Sequence, residues 1–198
     1  MNQNKPRVPL CNIANILTII RLVLVPAFIV SFLVDDPAHR WWAVGIFFVA
    51  ASTDKLDGYF ARAWNLITDF GKLADSIADK ALIISALLLL SWHGYLWWWV
   101  TIVFIVRELG ITLLRMNLRK VKVMAAGWHG KVKMAAQSLA IGGLLLPWHV
   151  FLPQSLAVFL VYVSYSLMGI ALFYALLSAF EYVRDAMRLL KNAAPENH

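Results

Sequence analysis

The chain has 198 residues, 61% of them hydrophobic and only 15% charged, with a mean hydropathy of +0.69. A soluble domain carries about 25% charge, so a water-soluble core is excluded and the composition implies an integral membrane protein, read as one domain over residues 1–198. The net charge of +7 gathers at the ends of apolar runs, which points to anionic lipid headgroups and phosphate substrates and away from nucleic acid.

Six segments approach the roughly 20 residues that a membrane helix needs, which predicts an all-α fold of six transmembrane helices. The first is 13–34. No small-x-small cleavage site follows it, so it is expected to stay as a membrane helix and not to leave as a signal peptide. Before it, Pro6 and Pro9 argue against a regular helix, and a short interfacial segment is expected there. The lone Cys11 excludes an internal disulfide framework and a cysteine metal cluster.

Asp35-Asp36-Pro37 ends the first span, and 41–61 is the second. The third is 73–91, separated by Ser91-Trp92-His93-Gly94 from the fourth at 95–117. The fifth covers 130–148, with Pro147 and Pro153 bracketing the turn into the sixth at 154–180. A polar tail runs from Lys191.

Basic residues fix the orientation. Lys5 and Arg7, Arg62 and Lys72, Arg119, Lys120 and Lys122, and Arg184, Arg188 and Lys191 fall on one set of ends, while the opposite connectors carry only Arg40. By the positive-inside rule both termini are cytoplasmic. Trp41, Trp42, Trp92, Trp97, Trp98, Trp99 and Trp148 gather towards the other boundary as an aromatic belt.

The chemistry lies in one run, Asp54-x2-Asp57-Gly58-x2-Ala61-Arg62-x8-Gly71-x3-Asp75-x3-Asp79. Carboxylates are costly near hydrocarbon and mark function. Asp54, Asp57, Gly58 and Ala61 fall on one helical face, and Gly71, Asp75 and Asp79 recur at i+4 spacing on the next helix. Two facing helices would bring four carboxylates together in a polar cleft at the cytoplasmic side. Unneutralised, they would repel one another. All-oxygen ligation without His or Cys favours two hard divalent cations, Mg²⁺ or Mn²⁺, over zinc. Two such ions suit a phosphate-rich substrate. Gly58 and Gly71 serve either close helix packing or close approach of a diphosphate. Arg62 is either a positive-inside anchor or a bidentate phosphate fork. Lys55, Lys72 and Lys80 either snorkel or balance the carboxylates.

This motif resembles the signature of the CDP-alcohol phosphatidyltransferase family at every position: Asp54, Asp57, Gly58, Ala61, Arg62, Gly71, Asp75 and Asp79. The resemblance extends over nearly the whole chain. It implies transfer of a phosphatidyl group from CDP-diacylglycerol to an alcohol, with release of CMP. It further implies that Asp54, Asp57, Asp75 and Asp79 hold two metals. Asp79 would be the catalytic base on the attacking hydroxyl, and Asp57, Gly58, Ala61, Arg62, Gly71 and Asp75 would line the CDP site. A homodimer in a bacterial inner membrane is also expected from the family.

The surroundings are similar to the branch whose acceptor is sn-glycerol 3-phosphate. The likeness lies in Asn15-x-Leu17-Thr18-x-x-Arg21, Thr68-Asp69-Phe70-Gly71-Lys72, Arg107-Glu108 with Arg115, and Gly130-Lys131-Val132-Lys133 through Gln137. Met134 replaces the usual threonine of that branch, and Ser76 replaces a proline between the last two aspartates. The doubly charged acceptor phosphate needs cations, for which Arg115, Lys131, Lys133 and Arg107 are the candidates; each is alternatively a membrane-interface anchor or a structural partner. Adjacent Arg107 and Glu108 do not share a helix face, so they need not pair with each other, and Glu108 either orients a basic side chain from another helix or supports the substrate. His129 is read as a solvated linker residue in preference to a base. Rival functions are a relative using inositol phosphate or phosphatidylglycerol as acceptor, and a small cation transporter built on the membrane aspartates.

Overall fold

The computed structural model describes residues 12–34, 36–63, 69–118 and 128–193, with side chains at all of them except 14, 37, 54–63, 69–70, 72–73, 115–118 and 189–193. The expected interfacial segment, Cys11, the basic residues at 119–122 and the polar tail lie outside the described residues or side chains. Among the described residues there are six α-helices, a 3-10 turn and no strand: α1 (Ile13–Leu33), α2 (Pro37–Ala63), α3 (Asp69–Trp92), α4 (Trp98–Leu118), α5 (Trp128–Leu145), the turn at Trp148–Val150, and α6 (Gln154–Ala193).

Two helices hold stretches long and apolar enough to cross a membrane, Asn15–Leu33 in α1 and Gln154–Arg188 in α6. Only 28% and 22% of their apolar windows are buried, so neither is the core helix of a soluble fold. In α2 to α5, polar and charged residues interrupt the apolar run.

The chain forms two compact units. The first is built on α1, α2 and most of α3. Asn12 caps α1, its side chain accepting from the Asn15 amide at 3.0 Å. After α1 the Asp36 amide donates to the Val34 carbonyl at 2.9 Å, and Asp36 caps α2 by accepting from the amides of Ala38 and His39 at 3.1 and 3.2 Å. The His39 side chain bonds the same carboxylate at 3.0 Å and, with the backbone bonds, holds the Asp36 carboxyl below its ordinary value. That cap, with Pro37 pre-set for a first helical turn, starts α2 four residues before the expected span.

The buried seam of α1 runs Thr18, Arg21, Val25, Phe28, Phe32, in the alternating three- and four-residue steps of packed helices. It is polar towards the N-terminus and apolar beyond Arg21. On α2 the matching seam is Ala43, Phe47, Ala50. The Phe28 and Phe47 rings meet at 5.9 Å, and Phe28 also meets Phe32 at 6.0 Å. On α3, Ala74, Ala78, Leu82 and Ala86 form the buried side.

The second unit holds α4, α5 and α6 with the end of α3. Gly94, at φ 74°, turns the chain into the residues before α4. Ser91 and Thr101 share a buried hydroxyl bond of 2.7 Å, and the Tyr165 hydroxyl donates to the Tyr95 carbonyl at 2.8 Å. The inner face of α6 reads Ser164, Met168, Ala171, Ala175, Ser178, Tyr182, Ala186. Tyr182 and Ala186 continue the seam past the apolar run, which is why α6 extends thirteen residues beyond the expected 154–180.

Candidate active site

The antiparallel register of α1 and α2 aligns the polar end of one with the aspartates of the other. Phe28 and Phe47 mark a common level. Arg21 lies seven residues before Phe28, and Asp54 seven residues after Phe47, each about 10.5 Å along the same direction at 1.5 Å per residue. Arg21 and the α2 backbone at Asp54 therefore stand at one level. The side chains of Asp54, Asp57, Gly58, Ala61 and Arg62 lie outside the described residues.

The third helix joins at the same level. The Arg21 guanidinium, fully buried, donates through Nη1 to Oδ1 of Asp75 at 2.9 Å. The Asp75 side chain keeps 46% of its surface exposed, so one oxygen is held inward while the carboxylate opens outward. Asp79 follows one turn on and is partly exposed, as is Gly71 one turn before. Lys80 donates to the Ser76 hydroxyl at 2.7 Å and the Ser76 carbonyl at 3.1 Å. The serine that departs from the family pattern is thus the anchor of a neighbouring lysine. Among the described residues no three His, Cys, Asp or Glu side chains form a metal-sized group; two of the four signature aspartates are outside that description.

A second charged cluster lies in the other unit. Glu108 of α4 accepts from Lys133 of α5 and, at 3.0 Å, from Nη1 of Arg107. Arg107 also donates through Nη2 to the Ser178 hydroxyl at 2.9 Å and through Nε to the Ala175 carbonyl at 3.3 Å. The side chains of Glu108, Lys133 and Arg107 are only 16%, 6% and 10% exposed. Glu108 does orient a cation from another helix, as the sequence suggests. The neighbours 107 and 108, which need not pair, do pair: the long arginine side chain reaches the carboxylate of its own neighbour. Lys131, two residues from Lys133 and so on the opposite side of α5, is exposed. The Arg115 side chain lies outside the described residues.

His129 lies in a helix and not in a linker, with its side chain still 37% exposed. It sits in the first turn of α5, reaches both Glu181 oxygens at 2.9 and 3.0 Å, and stacks on Tyr174 at 5.7 Å between centroids.

Sequence reasoning gave Arg21 no role, quoting it only within a family-like run. Its signal is a lone charge inside an apolar span, one step from buried Thr18 on the inner seam; such residues in membrane segments ordinarily face a partner. Ser178 and Glu181 were also missed, and neither spacing nor composition marks them.

In the first unit, an aspartate of α3 held beside a buried cation, level with the α2 backbone at Asp54, makes a polar centre. The chain matches the CDP-alcohol phosphatidyltransferase family over residues 11–179, and it belongs to that family. It is 45% identical over 144 residues to a probable phosphatidylglycerophosphate synthase of Mycobacterium tuberculosis, covering 71% of this chain and 69% of the relative. It is 39% identical over 169 residues to the CDP-diacylglycerol–glycerol-3-phosphate 3-phosphatidyltransferase of Escherichia coli K12, covering 82% and 85%. The protein of the same description from Haemophilus influenzae is 37% identical over 158 residues, covering 77% and 85%.

Proposed function

We propose that this chain transfers the phosphatidyl group of CDP-diacylglycerol to sn-glycerol 3-phosphate, giving phosphatidylglycerophosphate and CMP. The observation that carries the reading is the Arg21–Asp75 contact, which ties α3 to the level of Asp54 in the α1–α2 register. It supports convergence of carboxylates from two helices.

Asp54, Asp57, Asp75 and Asp79 would hold two divalent cations, Mg²⁺ or Mn²⁺. The donor set fits hard ions, since it is all oxygen and Asp75 keeps an outward-facing side. When bound, such ions neutralise diphosphate charge and stabilise the oxygen of the leaving group. Asp57, Gly58, Ala61, Arg62, Gly71 and Asp75 bind the CDP moiety. Asp79 takes the proton of the acceptor hydroxyl as that oxygen bonds to the lipid-linked phosphorus. The bond from that phosphorus to the CMP phosphate oxygen breaks, and CMP leaves with the electron pair. Arg115, Lys131, Lys133 and Arg107 bind the acceptor phosphate; Lys131 is the exposed member among the described ones.

We also read the six helices as crossing a bacterial inner membrane in a homodimer, with the aspartates and both termini cytoplasmic. The distribution of basic residues supports that side.

The test is an acceptor panel with purified protein, scored by CMP release and lipid product. Glycerol 3-phosphate should be consumed, and a chelator should abolish turnover. Incorporation of only an inositol compound or phosphatidylglycerol moves the acceptor assignment. Metal flux in proteoliposomes without CMP release replaces the reading by a transporter. Asp79→Asn should lower turnover at least a hundredfold, the scale of lost general-base catalysis, with Mn²⁺ occupancy measured beside it. Full turnover at unchanged occupancy would remove Asp79 from the base role.

A further inference from the structure

We infer that Arg21 is a charge-setting residue that makes divalent-ion occupancy of the aspartate site depend on arrival of the substrate diphosphate. The inference rests on the two-ion reading above and adds a residue that the family signature does not contain.

Arg21 is fully buried, donates to Asp75 at 2.9 Å and lies level with Asp54. An arginine stays protonated at every pH that proteins experience, so it places a permanent positive charge at the carboxylate cluster. Burying that charge is costly unless anions face it. Asn15 and Thr18, the polar residues next along α1, are buried and neutral. They cannot cancel the charge.

Charge counting then gives the sign. Four carboxylates and Arg21 sum to −3. Two divalent ions bring the site to +1, and a diphosphate carrying two charges returns it to −1. Without Arg21 the same three states are −4, 0 and −2. Arg21 therefore opposes ion binding to the empty site and favours the anion once ions are present. A second effect runs the other way for ions. By fixing Oδ1 of Asp75, Arg21 orients a ligand, and losing such support ordinarily weakens a metal site ten- to a hundredfold. The charge effect is the larger one here. An ion held by Asp75 would be separated from the guanidinium by that carboxylate alone, where the effective dielectric stays below that of water.

The two substitutions Arg21→Gln and Arg21→Lys separate charge from orientation. Mn²⁺ binding to the full-length protein in detergent is read by electron paramagnetic resonance, and CDP binding at saturating Mn²⁺ by calorimetry. In R21Q, Mn²⁺ alone should bind about tenfold tighter and CDP about tenfold weaker, while R21K stays within about twofold of the parent on both. Opposite shifts in one variant cannot arise from misfolding, which weakens both. Unchanged or weaker Mn²⁺ binding in R21Q overturns the inference, and so does an R21K that behaves like R21Q. A parent protein that binds no Mn²⁺, with or without CDP, instead overturns the two-ion reading itself.

Discussion

Glu108 holds two cations from two helices in a nearly dry setting. Deleting its carboxylate leaves the Arg107 and Lys133 charges facing each other without the anion between them. Removing one partner of a buried ion pair costs about 3–5 kcal/mol, so Glu108→Ala should lower thermal stability in detergent by that order. Ser178→Ala removes one hydrogen bond from Arg107, which keeps its carbonyl and carboxylate partners, and should cost about 1–2 kcal/mol. Melting curves of the two variants check the ranking; an E108A protein as stable as the parent would show that Glu108 is not what holds the cluster. The same residues show what a sequence can disclose. Glu108 stands out as a buried acid wanting a cation, and the cation arrives from α5. Spacing alone suggests that residues 107 and 108 point apart, because it treats side chains as fixed spokes. A guanidinium on three methylenes is not fixed, and in a site that excludes water it takes the nearest carboxylate.

On the helices, Gly143 of α5 faces Ser164 of α6. A Cβ built there would overlap the Ser164 hydroxyl and lie 3.1 Å from the Ser164 Cβ. Ser164 is itself buried and donates to the Leu160 carbonyl at 2.8 Å. Small residues that admit close backbone approach are a recurrent device of membrane helix packing. Gly143→Ala should therefore destabilise by about 1–3 kcal/mol through overpacking. In the double variant with Ser164→Ala the hydroxyl overlap disappears while the Cβ contact stays, so a partial rescue is expected in a double-mutant cycle. Strict additivity would place the strain elsewhere. Helix existence was legible because α1 and α6 carry long apolar runs and α2 to α5 carry shorter ones set between turn residues. Helix ends were not. The start of α2 is set by the Asp36 cap, and the reach of α6 by Tyr182 and Ala186, both buried beyond the point where hydropathy falls. The four aspartates were legible as a spacing pattern, whereas the arginine that meets one of them is 54 residues away in sequence and only packing joins them.

Over the whole molecule, charge and length together constrain how the chain meets a bilayer. No Asp, Glu, Lys or Arg occurs from 134 to 180, and α6 alone has 40 residues, about 60 Å at 1.5 Å per residue. A hydrocarbon core is about 30 Å thick, so α6 is long enough to cross and then project well past the lipid. Its charged residues, Glu181, Arg184, Asp185, Arg188 and Lys191, all sit in the far part, and the three basic ones favour projection into the cytoplasm. The opposite end, near Ser155, carries no charge and would lie at the outer surface. Ser155→Cys and Arg188→Cys, each on a Cys11→Ser background, test this directly, since both positions are exposed. A membrane-impermeant maleimide applied to intact cells should label S155C and spare R188C. Permeabilised cells should show both labelled. Equal labelling of the two in intact cells would mean that α6 does not cross, and outer labelling of R188C alone would reverse the orientation. Either result would take the basic end of α6 off the cytoplasmic side that the positive-inside distribution assigns to it.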